Sequence, residues 1–406
     1  MSPLVAYRSL FSLVGTGYVV VSLIARLPLA MSQIGVLLLV SDLTGSYGAG
    51  GACAGALAVT GAIGAPWWGA MADRIGQRPV LTVQSIGAAL GFVAILVVAH
   101  NDLPWAATAV ACAVAGFLIP QVGPLSRVRW RPLTQDLPDQ ERLVSSAFSF
   151  EGAADEAAFV LGPTLVGLGV ALASPTAALL GAAVLLAVFG TWFALSPHAT
   201  GPHGRPADSA TTGLLNPALV LLCASQLVIG TVFGSVQTGT SVLATAAGRP
   251  ELTGFLHALL GVGSVAAGLA VAALPARFGL SARLRWFALA LFALAVPLLT
   301  VDSMGWLVPV LLVLGISLAP YMITTFTIGE LITPVWRTSA AMTLLAAATV
   351  LGYALGASVA GQLADRGGHS GAYAVTVAAG VGAVGVAWLG RRVLDRALEQ
   401  ARSLKA

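Results

Sequence analysis

Charge is what this sequence has least of. Asp, Glu, Lys and Arg make up 9% of its 406 residues, where soluble domains carry about a quarter. A water-soluble fold cannot cover its surface from so small a supply, so that class is excluded. Lysine is nearly missing: Lys405 is the only one, and the other basic residues are arginines. With the abundant Ala and Gly, that bias points to GC-rich coding of bacterial type. The net charge of +4 is scattered along the chain, which excludes the clustered basic surface that nucleic acid requires. Cysteine is limited to Cys53, Cys112 and Cys223, all inside apolar runs and none at metal-ligand spacing, so they read as small packing residues. There is no nucleophile–base pair, metal constellation or phosphate-binding loop, and no enzyme activity, cofactor or metal is expected. No short apolar core with a small-residue cleavage site opens the chain, so no signal peptide is expected.

What the chain has in quantity is apolar sequence: 57% hydrophobic, with a mean hydropathy of +0.90. A helix spans a bilayer with about 20 mainly apolar residues. Twelve runs qualify: 17–41, 47–72, 79–99, 105–126, 145–172 and 176–196, then 216–244, 252–275, 285–301, 305–328, 339–363 and 371–390. The expected fold is therefore an all-α integral membrane protein, two six-helix bundles at 1–197 and 216–406 joined by a linker at 198–215. The second bundle is expected to end in a short tail. With the N-terminus in the cytoplasm, seventeen of the twenty basic residues fall on the cytoplasmic side, Arg127, Arg129 and Arg283 among them. Only Arg249 and Arg366 fall outside, and Arg26 lies within a span. That bias predicts a cytoplasmic linker and both termini inside.

The turn between the second and third spans reads Gly69-x-x-x-Asp73-Arg74-x-Gly76-x-Arg78. A degenerate copy, Ala276-Arg277-Phe278-Gly279, follows the eighth span, with Ala272 where Gly69 stood. Matching turns in two halves are what parallel repeats leave behind. Twelve spans in two sixes, a central linker and GAMADRIGQR after the second span resemble the major facilitator superfamily of secondary transporters. Pro79 stands where that family has a second basic residue, a departure that the start of a helix tolerates. In the fifth span, Gly152, Gly162, Pro163 and Gly167 resemble the glycine–proline signature of antiporter branches, with Val166 where a glycine is expected. The plain alternative is close packing with a proline bend. A fourth-span signature is mostly missing: Gln121 and Gly123 are present, but Leu118 stands where its Arg belongs.

The resemblance implies alternating access. It also implies that the second span meets the start of the eleventh, Arg337-Thr338-Ser339, across the two bundles. Unpaired backbone donors and the positive dipole end there attract a carboxylate. Asp73 would latch that side shut, with Arg74 and Arg78 bracing it and Gly69 and Gly76 allowing close approach. The alternative, a positive anchor for topology alone, accounts for the arginines but not for the acid.

Ionisable groups in hydrocarbon are costly and mark a pathway or a buried pair. Four fall inside spans: Arg26 in the first, and Glu151, Asp155 and Glu156 in the fifth. At about 1.5 Å per residue, Arg26 and Asp155 lie at matching depths, so they can pair. One arginine cannot neutralise three acids; at least one must face water or hold a proton. Arg26, Glu151, Asp155 and Glu156 are therefore the candidate proton-coupling group, with the Asp155/Glu156 pair containing the carrier. The alternative is a clasp holding span 1 to span 5. Gln121, Gln226, Gln237, Tyr321, Thr324, Thr325 and Tyr353 are candidates for a cavity lining, each also explicable as interhelical packing, and a lone His257 reads as structural. So few charges suit a lipophilic cargo. The expected function is proton-coupled export of small lipophilic drugs or metabolites by a monomer in a bacterial inner membrane, with the bilayer, a small molecule and protons as partners. The rivals are a polar-metabolite transporter of the same superfamily and a non-transporting sensor or assembly factor.

Overall fold

A computed structural model describes residues 3–101, 103–202, 216–249, 252–275 and 277–403. Every regular element among them is helical. The first half holds α1 (Pro3–Thr44), α2 (Tyr47–Ile75), α3 (Gln77–His100), α4 (Trp105–Leu118), α5 (Val122–Leu133), α6 (Gln140–Leu172), α7 (Pro175–Leu185) and α8 (Thr191–Leu195). The second holds α9 (Pro217–Ala246), α10 (Thr253–Ala270), α11 (Leu280–Ala295), α12 (Met304–Ile332), α13 (Thr338–Leu389) and α14 (Arg391–Ser403). Eleven helical stretches are long and apolar enough to cross a membrane. The longest contains α13, which breaks at Gly368 (φ 59°), a left-handed conformation that glycine adopts without a Cβ clash. Its two arms supply two crossings, making twelve. The chain is a multi-pass membrane protein, and large apolar side chains such as Leu90, Phe159 and Trp192 lie on its outer surface.

Helices in lipid gain little from hydrophobic burial against one another; close backbone approach and interhelical hydrogen bonds hold them together. The α9–α13 contact shows how. A Cβ on Gly230 or Gly234 would collide with backbone atoms at Thr349 and Tyr353, and one on Gly352 or Gly356 with those at Leu227 and Thr231. Thr231 Oγ1 donates to Gly352 O at 3.2 Å, and Ser235 Oγ pairs with Thr376 Oγ1 at 2.7 Å. Gly352→Val should therefore destabilise the second bundle by about 1–3 kcal/mol or more. A melting temperature in detergent checks this, and no change would mean the helices separate there without cost.

Several expected boundaries are corrected. α1 starts at Pro3 rather than 17, and its first turns are set off by a break at Gly15 (φ 77°). The fourth crossing does not end at 126. It breaks at Ile119–Gln121 and resumes as α5 to Leu133. Pro120 and Pro124 have no backbone N–H and interrupt the ladder, and the carbonyls it releases are taken up by Trp68 Nε1 (on Phe117 O, 2.8 Å) and Gln84 Nε2 (on Ile119 O, 3.3 Å). Apolarity alone ended this span at its arginines, yet Arg127 and Arg129 lie in the continued helix and are fully buried, not in the connecting loop expected there. Arg283 is buried too, donating to the carbonyls of Phe278 and Pro275. The tail is a helix, α14, with Leu394 and Leu398 buried and Arg391, Arg392, Arg396 and Arg402 exposed. Linker residues 203–215 and Ala276 lie outside the described residues.

Candidate functional site

A cluster of buried charges sits where α1, α5 and α6 meet. Arg26 on α1 donates through Nε to Asp155 Oδ1 at 2.8 Å, and through Nη2 to Glu151 Oε2. Its remaining nitrogen is held by Ser22 O (2.8 Å) and Ser22 Oγ (2.6 Å). Arg127 on α5 donates to Asp155 Oδ2 at 2.7 Å. Glu151 Oε1 accepts from Ser126 Oγ (2.7 Å) and Trp130 Nε1 (2.6 Å). Asp155 also lies against Gly123 in the first turn of α5, where a Cβ would strike its carboxylate, so unpaired amides and the positive helix end favour its charge. Two arginines thus meet two carboxylates. The sequence reading found Arg26 but missed Arg127. The available signal was that Val128, Trp130 and Leu133 continue the apolar spacing past the arginines.

Glu156 stands apart from this cluster. It is 5% exposed, lies where α6 packs on α10 of the second half, and has no ion-pair partner among the described residues. An unpaired carboxylate buried in apolar surroundings is costly when ionised. Of the three acids in the fifth crossing, it is the one that no described residue neutralises.

The two halves are joined towards the arginine-rich end. Asp73 at the end of α2 is 3% exposed and accepts from Ser339 N and Ala340 N at the start of α13, both at 3.0 Å. Gly69, one turn earlier, touches Ser339, Ala340 and Thr343, and a Cβ there would collide with all three. Gly76 (φ 89°) turns the chain straight into α3. Arg74 is exposed, and Arg78 reaches Ser196 O at 3.5 Å. Arg131 of α5 grips Glu330 of α12 with Nε and with Nη2 (2.8 Å to Oε2), and also meets Glu141 at 3.0 Å. Glu330 was missed because the apolar run of the tenth span stops two residues before it. The Arg127 guanidinium lies 4.3 Å from the centre of the Phe326 ring on α12.

The other predicted residues are dispersed. Gly152 approaches Ile323 of α12, Gly162 approaches Ala30 and Met31 of α1, and a Cβ on Gly167 would meet open space. Pro163 lies within α6. Gln121 caps the broken crossing in the first half. In the second half, Gln226 accepts from Thr349 Oγ1 (3.2 Å) and Gln237 from Tyr353 OH (2.7 Å), tying α9 to α13. Thr324 and Thr325 donate to carbonyls of their own helix, and the Tyr321 hydroxyl is buried without a partner.

Paired helical bundles crossing the membrane, with buried charges in one and ties between them at one end, define a membrane carrier. The sequence of residues 11–334 matches the model of the Major Facilitator Superfamily, and the chain belongs to that family: it is a transporter and not an enzyme. No curated protein sequence matches it. Solved structures of the same fold include the human organic anion transporter MFSD10 (19% identity, 91% of this chain, 98% of that one, TM-score 0.69). A bacterial homologue of the iron transporter ferroportin, in an outward-facing state, is 17% identical over 92% of this chain and 98% of its own, with a TM-score of 0.73. The E. coli fucose:proton symporter is 14% identical over 92% and 98%, with a TM-score of 0.64.

Proposed function

We propose that the protein exports small lipophilic drugs or metabolites across a bacterial inner membrane in exchange for protons, as a monomer with both termini in the cytoplasm. The observation that carries this reading is Glu156, a buried acid without a counter-ion at the junction of the two halves. Such a group can take and release a proton as its surroundings change, which a carboxylate gripped by two arginines cannot. Glu156 is then the carrier, and Arg26, Arg127, Glu151 and Asp155 are the anchor that holds α1, α5 and α6 around it. A lipophilic cargo suits the second half, where Gln226 and Gln237 accept hydrogen bonds from their neighbours and Glu330 is paired. Asp73 with Gly69 and Gly76 forms the latch on the arginine-rich, cytoplasmic side, so this conformation is open to the outside.

The test is flux in proteoliposomes with an imposed pH gradient, using a panel of lipophilic compounds and polar metabolites. Lipophilic compounds should move against the proton gradient and stop when an ionophore collapses it. Movement of polar metabolites alone, or movement indifferent to the ionophore, would overturn the assignment.

A further inference from the structure

Ser264 is 0% exposed on α10, where α10 packs along α6. The two helices approach closely on either side of it: a Cβ on Gly261 would strike Val160, and Gly268 lies beside Ala153 and Ala319. The Ser264 oxygen accepts from the backbone N–H of Ala319 on α12 at 3.1 Å, which leaves its own proton to donate. The free proton of Ser264 therefore lies in the contact between α10 and α6, between the Gly261–Val160 and Gly268–Ala153 approaches. The acid across from it, one turn from both Ala153 and Val160 on α6, is Glu156.

We infer that Ser264 is the residue through which the second half reads the protonation state of Glu156, an inference that rests on Glu156 being the proton carrier. Hydrogen bonds to an ionised acceptor are roughly twice as strong as neutral ones. With Glu156 ionised, Ser264 ties α10 and α12 to α6 by the stronger bond; with Glu156 protonated, only the weaker one remains. The carrier's charge is thereby converted into the strength of a contact between the bundles. Other charges do not duplicate this role. Asp155, beside Glu156 on α6, is held by Arg26 of α1 and Arg127 of α5. On α10, His257 lies about two turns away, and on α12 the titratable groups are Tyr321 and Glu330, the latter gripped by Arg131.

The experiment compares the pH profile of gradient-driven flux in proteoliposomes of wild type, Ser264→Ala, Glu156→Gln and the double variant. Loss of a donor to the ionised form should displace the S264A profile by about one pH unit towards higher pH. In the Glu156→Gln background, adding S264A should produce no further shift in the pH dependence of the residual exchange. A structural role alone would lower the rate without moving the profile. An S264A profile superimposed on wild type overturns the inference while leaving the role of Glu156 intact; wild-type gradient-driven flux in Glu156→Gln overturns both. If S264A fails to fold, Ser264→Cys, a weaker donor of similar size, takes its place with the same readouts.

Discussion

Glu156→Gln should reduce proton-driven transport to the level of empty liposomes while leaving substrate exchange in the absence of a gradient. Glutamine keeps the shape of the protonated acid, so the fold and the path remain; what it cannot do is carry a proton. Asp155→Asn should fail differently. It leaves Arg26 and Arg127 short of a counter-charge in a buried cluster, and removing one partner from such a pair costs about 3–5 kcal/mol. That variant should lose folded protein and melting temperature first, and activity as a consequence. The pair of measurements, flux with and without a gradient beside thermal stability, separates carrier from anchor. Full proton-driven flux in Glu156→Gln, with a selective coupling defect in a well-folded Asp155→Asn, would reverse the assignment.

Asp73→Asn should shift the protein towards the state open at its arginine-rich end. The carboxylate takes two backbone donors, Ser339 N and Ala340 N, and charge-assisted bonds of this kind are worth about 1.5–3 kcal/mol each. Asparagine has one acceptor oxygen, and its amide turns donors towards a donor. It also lacks the charge that the start of α13 attracts. A loss of about 2–3 kcal/mol shifts the balance of states by roughly thirty- to 150-fold. A cysteine at Thr343, which lies against Gly69, should be labelled faster from that side in Asp73→Asn once the native cysteines are replaced, and turnover should fall. Wild-type labelling together with wild-type turnover would remove the latch.

How far the site could be read in advance depends on the kind of physics each residue obeys. Arg26, Glu151, Asp155 and Glu156 stand out in one dimension because a charge inside a long apolar run has no local explanation. Asp73 stands out because the positive-inside bias does not call for an acid. Arg127 and Glu330 are invisible in the same way, since each sits at the ragged end of an apolar run where a charge looks ordinary. Their burial is created by helices that continue past the apolar stretch and by a neighbour from the other half. Ser264 carries no signal at all along the chain; a serine in a membrane helix most often bonds its own backbone.

The sequence alone determined that this is a membrane protein, that it crosses twelve times in two sets of six, and that acids lie within its fifth crossing. Those properties follow from the price of polar groups in hydrocarbon, which is set by composition and spacing. Only the tertiary structure decided which acids are neutralised and which one is not. That distinction depends on Arg127 reaching Asp155 from another helix, and on Glu156 lying at the contact with α10 of the other half. Charge pairing acts over a few ångströms between helices distant in the chain, and no periodicity along one helix records it.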